Sequence, residues 1–304
     1  MRKMGMKTKD KRKGWNHSSA FLIGVLVLLT FGTVLATSCF YTLVNEGIQL
    51  PGLYNDNNFW ESLFVNFHCI VIDMVLFTLI LKKFNKKDEK EEYVKKYQTD
   101  IDDCREIYNE YATFKLVPAI KRLNEINIYK FKLTRCWFKR AYLNECKILQ
   151  SDLMGCHISD GSIFKGSEMR ECDFKGAEMT NSDFSNCDFS SSKMHKVKCK
   201  SSSFKSSKMI NCHLGYADFT ECDLRSVNLS KSNLEGVIFE NANLQDANLK
   251  DVECLDIDKL VKCKTLYKAK LDKEIVEKIA KKYPQKIEDL KINIYECTNP
   301  DTRK

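Results

Sequence analysis

The chain has 304 residues, with 49 Lys and Arg against 41 Asp and Glu, a net charge of +8, and 14 cysteines against only 4 prolines. The length exceeds an average domain of about 100–200 residues, so more than one structural unit is expected. A charged fraction of 30% excludes a polytopic membrane protein but leaves room for one or two spans attached to a polar body. Fourteen cysteines without a single CxxC pair do not fit the disulfide frameworks of short secreted chains.

The charge is unevenly placed. Residues 1–17 carry seven basic residues and one acid, residues 18–81 carry four acids and no base, and residues 131–254 carry 17 of each sign. Residues 1–17 therefore read as a basic tail. Ala20 to Val44 is 25 residues without a charge, long enough to span a hydrocarbon core that needs about 20. It is too long for a signal peptide, whose apolar core is about 7–15 residues. A second apolar run, Leu63 to Leu81, includes Asn66, His68 and Asp73. Residues 18–81 are expected to form a two-helix transmembrane hairpin with spans at about 20–44 and 63–81. The tail is basic, Lys82, Lys83, Lys86 and Lys87 follow the second run, and the loop between the runs has no base. The bias of basic residues toward the cytoplasm then puts both termini inside. The expected location is the cytoplasmic membrane, with later cysteines kept as free thiols by a reducing compartment.

Asp73 near the middle of a span costs about 2.5–3.5 kcal/mol on insertion scales. Asn66 and Asp73 are seven apart and share a helix face, whereas His68 lies about 140° around from Asp73. Two readings follow. Either these polar groups hydrogen-bond across a helix–helix interface, or several hairpins assemble with them lining an ion path.

Residues 82–130 read as a helical connector. Val94, Tyr97, Ile101, Cys104, Tyr108 and Tyr111 follow 3-4 spacing over fewer than three heptads, so an amphipathic helix packed on the body is favoured over an oligomerising coil. Lys115 to Asn124 reads as a shorter helix with Pro118 in its first turn, where proline is tolerated.

From Phe164 to Cys254 every fifth residue is apolar over nineteen unbroken steps, and the residue two before each is small. A helix cannot hold this stripe on one face, because five steps of about 100° make about 500°. A strand, with a period of two, fails as well. The pattern requires a coil that returns one large and one small side chain inward every five residues. An earlier block runs one residue out of register: Leu133, Phe138, Leu143, Ile148, Leu153, Ile158 and Ile163, with Phe131, Cys136, Ala141, Cys146, Ser151, Cys156 and Gly161 as partners. An extra residue near Asp160–Phe164 joins the blocks, for an expected total of 26 repeats.

The triplets Ala217-Asp218-Phe219, Ala242-Asn243-Leu244 and Ala247-Asn248-Leu249 match A-(D/N)-L-x-x, and the chain over about 131–254 resembles the pentapeptide-repeat family. The resemblance implies a right-handed quadrilateral β-helix with four pentapeptides per coil, a mainly β fold. The wider layout resembles bacterial membrane-anchored members, in which a hairpin and a helical connector precede the repeats. His68, Asp73 and the segment Ile120 to Asn124 match that layout. Residues 255–304 read as a helical C-terminal cap and tail. There, Lys264 to Pro284 resembles such a cap, and Leu271, Ile275, Ile279 and Tyr283 recur every four residues.

This register removes most candidate chemistry. Cysteines 136, 146, 156, 172, 187, 212 and 222 take the small interior position, and Cys199 and Cys254 the large one, so they read as small buried hydrophobes. Cys172 and Cys212 would be two coils apart, too far to share a zinc ion. His157, His195 and His213 fall outward or flanking, and no nucleophile–base constellation or phosphate-binding glycine loop is found. No metal, cofactor or enzymatic activity is expected.

Recognition is left to the exterior. No acid lies between Asp188 and Asp218, where Lys193, Lys196, Lys198, Lys200, Lys205 and Lys208 form a basic girdle suited to an anionic partner. The favoured expectation is a membrane-anchored scaffold that docks a protein partner. The alternative is an oligomeric effector or channel, with the homo-oligomer that this implies. Soluble family members that protect gyrase are described as acidic DNA mimics. This neutral, lysine-girdled rod departs from that pattern, and nucleic acid is not expected as a partner.

Overall fold

The computed structural model describes Gly32 and residues 57–292. The basic tail, the run 20–44 apart from Gly32, and the last twelve residues lie outside them. The chain divides into two compact units, Met1–Glu91 and Glu92–Lys304.

In the first unit the described chain is the leading part of one unbroken helix, α1 (Asn57–Asp102). Its segment from Val65 is long and apolar enough to cross a membrane, with a mean hydropathy of 1.8, and no part of that apolar window is buried. Val65, Ile70, Ile72, Met74, Val75, Leu76, Phe77, Leu79, Ile80, Leu81 and Phe84 are all exposed. It is the one such helix among the described residues.

In the second unit the end of α1 buries Tyr97 and Ile101, and Cys104 is buried in the turn after it, as the amphipathic spacing predicts. The spacing does not continue as one helix. α1 stops at Asp102, and Tyr108 and Tyr111 are exposed. Asn109 caps α2 (Glu110–Glu125) by accepting from the Ala112 N–H. Because α2 starts five residues before Lys115, Pro118 is not in its first turn but in its middle. The carbonyl that loses a partner there belongs to Phe114, a residue on the exposed side of the helix. The opposite side buries Ala112, Thr113, Leu116, Ala119, Ile120 and Leu123.

A β-solenoid follows. Its three regular strands, β1 (Trp137–Lys139), β2 (His157–Ser159) and β3 (Glu178–Met179), form one parallel sheet in that order. Single parallel bridges carry the pairing along all four sides. Ile163 pairs with Asp183, Glu168 with Asp188, Asp173 with Lys193 and Glu178 with Lys198, each twenty residues on. Twenty residues are four pentapeptides, so each coil has four sides. Strand spacing of about 4.8 Å per coil makes a rod of roughly 30 Å.

The five-residue step has three local causes. One large side chain per step fills the interior. Phe164, Phe184 and Phe204 stack in one column, with ring centroids 5.4 and 5.1 Å apart. Second, the residue two after each large one turns a corner with φ near +57°, as at Asn186, Ser191, Lys196, Ser201 and Ser206. Left-handed backbone is costly for β-branched side chains, and none stands at a positive-φ position among the described residues. Third, an Asp or Asn before the large residue accepts from the backbone two residues on. Asp173 takes the Lys175 N–H at 3.0 Å and Asn243 the Gln245 N–H at 3.1 Å. This Asx turn gives the signature its acidic or amide position.

The join between the two blocks differs from expectation. Gly161 is exposed and Ile163 half-buried, while Ser162 and Phe164 are fully buried. The first block thus ends at Ile158 and holds six repeats rather than seven. Asp160 and Gly161 are consecutive left-handed residues, and the extra residue is absorbed at that corner. Coils crossing it pair 21 residues apart, as in Tyr142 with Ile163 and Lys147 with Glu168.

Cys254 is likewise not interior but exposed. An antiparallel bridge from Glu235 to Leu255 turns the chain out of register there, and the short helix α3 (Ile257–Leu260) follows. The coil then resumes after a two-residue insertion. Asn243 pairs with Thr265 and Asn248 with Lys270, and Leu266 and Leu271 continue the buried column. The helical cap begins only at α4 (Lys273–Lys282), which buries Val276 and Ile279. It is followed by α5 (Pro284–Asp289).

Both solenoid ends are closed. At the first coil, Thr113 of α2 donates to the Trp137 carbonyl and accepts the Lys139 N–H. Asn124 accepts the Lys147 N–H at 2.7 Å and donates to its carbonyl at 3.0 Å. Two side chains of one helix thus replace a missing coil, and its apolar face covers the interior. An open strand edge would otherwise recruit another chain.

The corner rule is testable at Ser206, whose side chain is exposed. Ser206→Val should cost about 1–3 kcal/mol, the usual penalty for such strain. Ser206→Gly should stay within about 1 kcal/mol of the parent, because relieved strain opposes added unfolded-state entropy. Urea unfolding of the two variants measures the difference.

Candidate functional site

The interior is a hydrogen-bonding ladder as well as a packed core. Ser162 and Ser167 donate to the carbonyls of Phe138 and Leu143 on the preceding coil. They also accept the N–H groups of Ala141 and Cys146. Cysteine takes the donor role in the same way: Cys172 Sγ to Ile148 O, Cys187 Sγ to Phe164 O, Cys212 Sγ to Phe189 O and Cys222 Sγ to Cys199 O, at 2.8–3.0 Å. Each small polar side chain adds a bond between coils, and the carbonyls of Phe164, Phe189 and Cys199 accept a backbone N–H of their own turn as well. Calling these cysteines small hydrophobes describes their size but misses this bond. Burial pushes the thiols of Cys172, Cys187, Cys212 and Cys222 up to about 12 from an ordinary 9.0, so none is a nucleophile near neutral pH. No group of three or more His, Cys, Asp or Glu residues among the described ones could hold a metal ion.

The outer faces form columns with one residue per coil. One column runs Trp137, His157, Glu178, Lys198, Asp218 and Ile238; another runs Lys147, Glu168, Asp188, Lys208, Asn228 and Asn248. Charges pair along these columns, as in Lys147 with Glu168 at 3.2 Å and Lys198 with Glu178 at 2.8 Å. His157 contacts the same Glu178 carboxylate at 3.0 Å. The Lys198 ammonium and then His157 hold Glu178 below the usual carboxylate range.

All six girdle lysines are exposed. They do not converge. Lys193, Lys198 and Lys208 stand in three different columns beside Asp173, Glu178 and Asp188 respectively. Among the six, Lys198 alone forms an ion pair within the described residues. Asn66 and Asp73 are exposed on α1, and His68 on the same helix is half-buried.

Of the residues that do converge, the sequence pattern singled out Lys196 alone. Arg105, Lys132, Arg135, Lys175 and Lys196 line a groove of about 520 Å³ with Glu106, Thr134, Met154, Gly155 and Gly176. They come from the α1–α2 turn and from four successive coils. The signal exists in the sequence, as corner positions 135, 155, 176 and 196, but only once the extra residue near Gly161 is counted.

Comparison with known proteins matches part of the repeat region to one family model. Residues 178–249 match the family described as pentapeptide repeat region. Among solved structures the chain is similar to HetL, a pentapeptide repeat protein involved in heterocyst differentiation regulation in the cyanobacterium Nostoc sp. strain PCC 7120. The identity is 15% over 47% of this chain and 81% of that one, with a TM-score of 0.22. QnrB1, a plasmid-mediated fluoroquinolone resistance protein, is 19% identical over 50% of this chain and 94% of its own, also at 0.22. A pentapeptide repeat protein from the Arabidopsis thaliana thylakoid lumen is 22% identical over 36% and 71%, at 0.19. No curated protein matches the sequence. The β-solenoid itself is defined by the bridges and corners of this chain.

The thiol assignment carries a pH dependence. Folding keeps these protons bound, so the associated stability is complete below the unfolded value near 9 and falls as pH rises from there toward 12. The native chain should therefore become progressively easier to unfold in urea above about pH 9. At pH 8 an aromatic disulfide reagent should leave Cys172, Cys187, Cys212 and Cys222 unlabelled until denaturant is added. Labelling of any of the four in the native state, mapped by mass spectrometry, would contradict their burial.

Proposed function

We propose that the protein is a membrane-anchored scaffold that displays its β-solenoid on the cytoplasmic face of the inner membrane as a docking surface for a protein partner. Proteins of this repeat type are generally interaction or scaffold proteins and generally not enzymes. One observation carries the membrane assignment: the eleven exposed large apolar side chains of α1 between Val65 and Phe84. Burying an aliphatic or aromatic side chain is worth about 1.5–3 kcal/mol each, and eleven such side chains outweigh the roughly 2.5–3.5 kcal/mol cost of Asp73. Support for a second span comes from Ala20 to Val44, and the distribution of basic residues supports cytoplasmic termini.

The solenoid suits docking because its coils share one hydrogen-bonded ladder, so its columns present side chains at fixed spacing. In the two-span reading, Asn66 and Asp73 tie one helix to another within the bilayer.

Fractionation tests the anchor. The full chain should stay with membranes after alkaline carbonate extraction, and the pair Ile72→Lys and Leu76→Lys should release much of it. Release of the parent chain by carbonate alone would overturn the anchor. In reconstituted liposomes the scaffold should show no ion flux. Flux that is lost on Asp73→Asn would instead establish the channel alternative.

A further inference from the structure

We propose that the groove between the α1–α2 turn and the first four coils binds a phosphate-bearing anion. The proposal stands on the second unit alone and does not depend on the membrane assignment.

The groove is built by the corner column. Arg135, Gly155, Gly176 and Lys196 occupy the same left-handed corner on consecutive coils. Non-glycine residues stand at most other corners, so two consecutive glycines open a notch in a ridge of side chains. A Cβ on Gly176 would meet nothing within 4 Å. The notch takes in two coils, and Arg135 and Lys196 at its ends are three coil steps apart, about 14 Å at about 4.8 Å per coil.

Its charge is one-sided. Five cationic side chains line it against one carboxylate, Glu106, which is already engaged by Arg135 at 2.6 Å. The repeat region as a whole carries 17 charges of each sign, so this concentration is local. Arg105 also reaches out of the groove, to the Asp102 carboxylate and, at 3.4 Å, to the Lys132 carbonyl.

Unmet hydrogen-bonding capacity also lies beneath the groove surface. Two buried side-chain polar atoms in the described residues lack a partner, Arg105 Nε and Thr134 Oγ1, and both residues line this groove. A buried unsatisfied donor costs about 1–3 kcal/mol. The exposed guanidinium of Arg135 and the exposed ammonium groups of Lys132, Lys175 and Lys196 are the donor set that a phosphate oxygen accepts from. Met154, partly exposed beside the notch, offers apolar contact to whatever carries the phosphate.

Isothermal titration calorimetry of the purified full chain with inorganic pyrophosphate tests the proposal. Lys175→Glu with Lys196→Glu should weaken binding at least tenfold. Lys205→Glu with Lys208→Glu, an equal charge change away from the groove, should weaken it less than twofold. Gly176→Asn should also weaken binding at least tenfold while leaving the melting temperature nearly unchanged, because Asn occupies equivalent corners at Asn181 and Asn186. Two comparison ligands separate the sources of phosphate. Tighter binding of dioctanoyl phosphatidic acid than of glycerol 3-phosphate assigns a lipid headgroup, and equal binding assigns a soluble phosphate. Either result supports the site. Absence of pyrophosphate binding, equal losses in both lysine pairs, or full binding by Gly176→Asn overturns it.

Discussion

Every coil of this solenoid has two open backbone edges, and each must be satisfied by the coil on either side. That requirement governs the rest of the molecule. The backbone N–H of Phe184 reaches the Ser203 carbonyl at 2.7 Å, and the same relation recurs at most of the large interior residues along the rod. It sets the twenty-residue period, because a coil of any other length would bring mismatched groups together. It also sets the small interior residues. Only Ser, Cys, Ala or similarly slim side chains leave the large residues room, and of these Ser and Cys add a bond between coils.

The constraint accounts for the exceptions too. An extra residue at the Asp160–Gly161 corner is tolerated because it bulges outward, leaving the pairing of neighbouring sides intact at 21 residues. Two extra residues before Thr265 are taken up by α3. At the first coil there is no preceding neighbour, and Thr113 and Asn124 supply the missing donors and acceptors from a helix. This end is closed by chemistry that belongs to strands but is delivered by α2.

Most of the solenoid was legible from the amino acids, since one large and one small inward residue every five steps leaves few alternatives. The failures are local and share a cause. A register shift can be placed within a few residues by pattern, but both Ile163 and Phe164 are apolar, and only the paired left-handed residues at Asp160 and Gly161 decide between them. Cys254 fits the apolar period, yet the antiparallel bridge at Leu255 removes it from the interior. Pro118 misled because proline favours a first turn, whereas the cap at Asn109 moved the helix start upstream. The candidate site was less legible than the fold. Lysines close in sequence lie on different faces of a solenoid, so Lys193 to Lys208 do not make one patch. Residues 135, 155, 176 and 196 are far apart in sequence and adjacent in space.

The functional picture combines an apolar helix with a rigid, self-satisfied rod. Rigidity is the property that a docking surface needs, since a partner then loses little of its binding energy to ordering the scaffold. Native-state hydrogen exchange on the full chain tests that picture most directly. The account predicts that backbone amides from Leu133 to Leu249 are protected together and open as one cooperative unit, with no break at the Asp160–Ile163 join. Separate, faster exchange of residues 133–158 from residues 164–249 would show two independent blocks and contradict the continuous ladder.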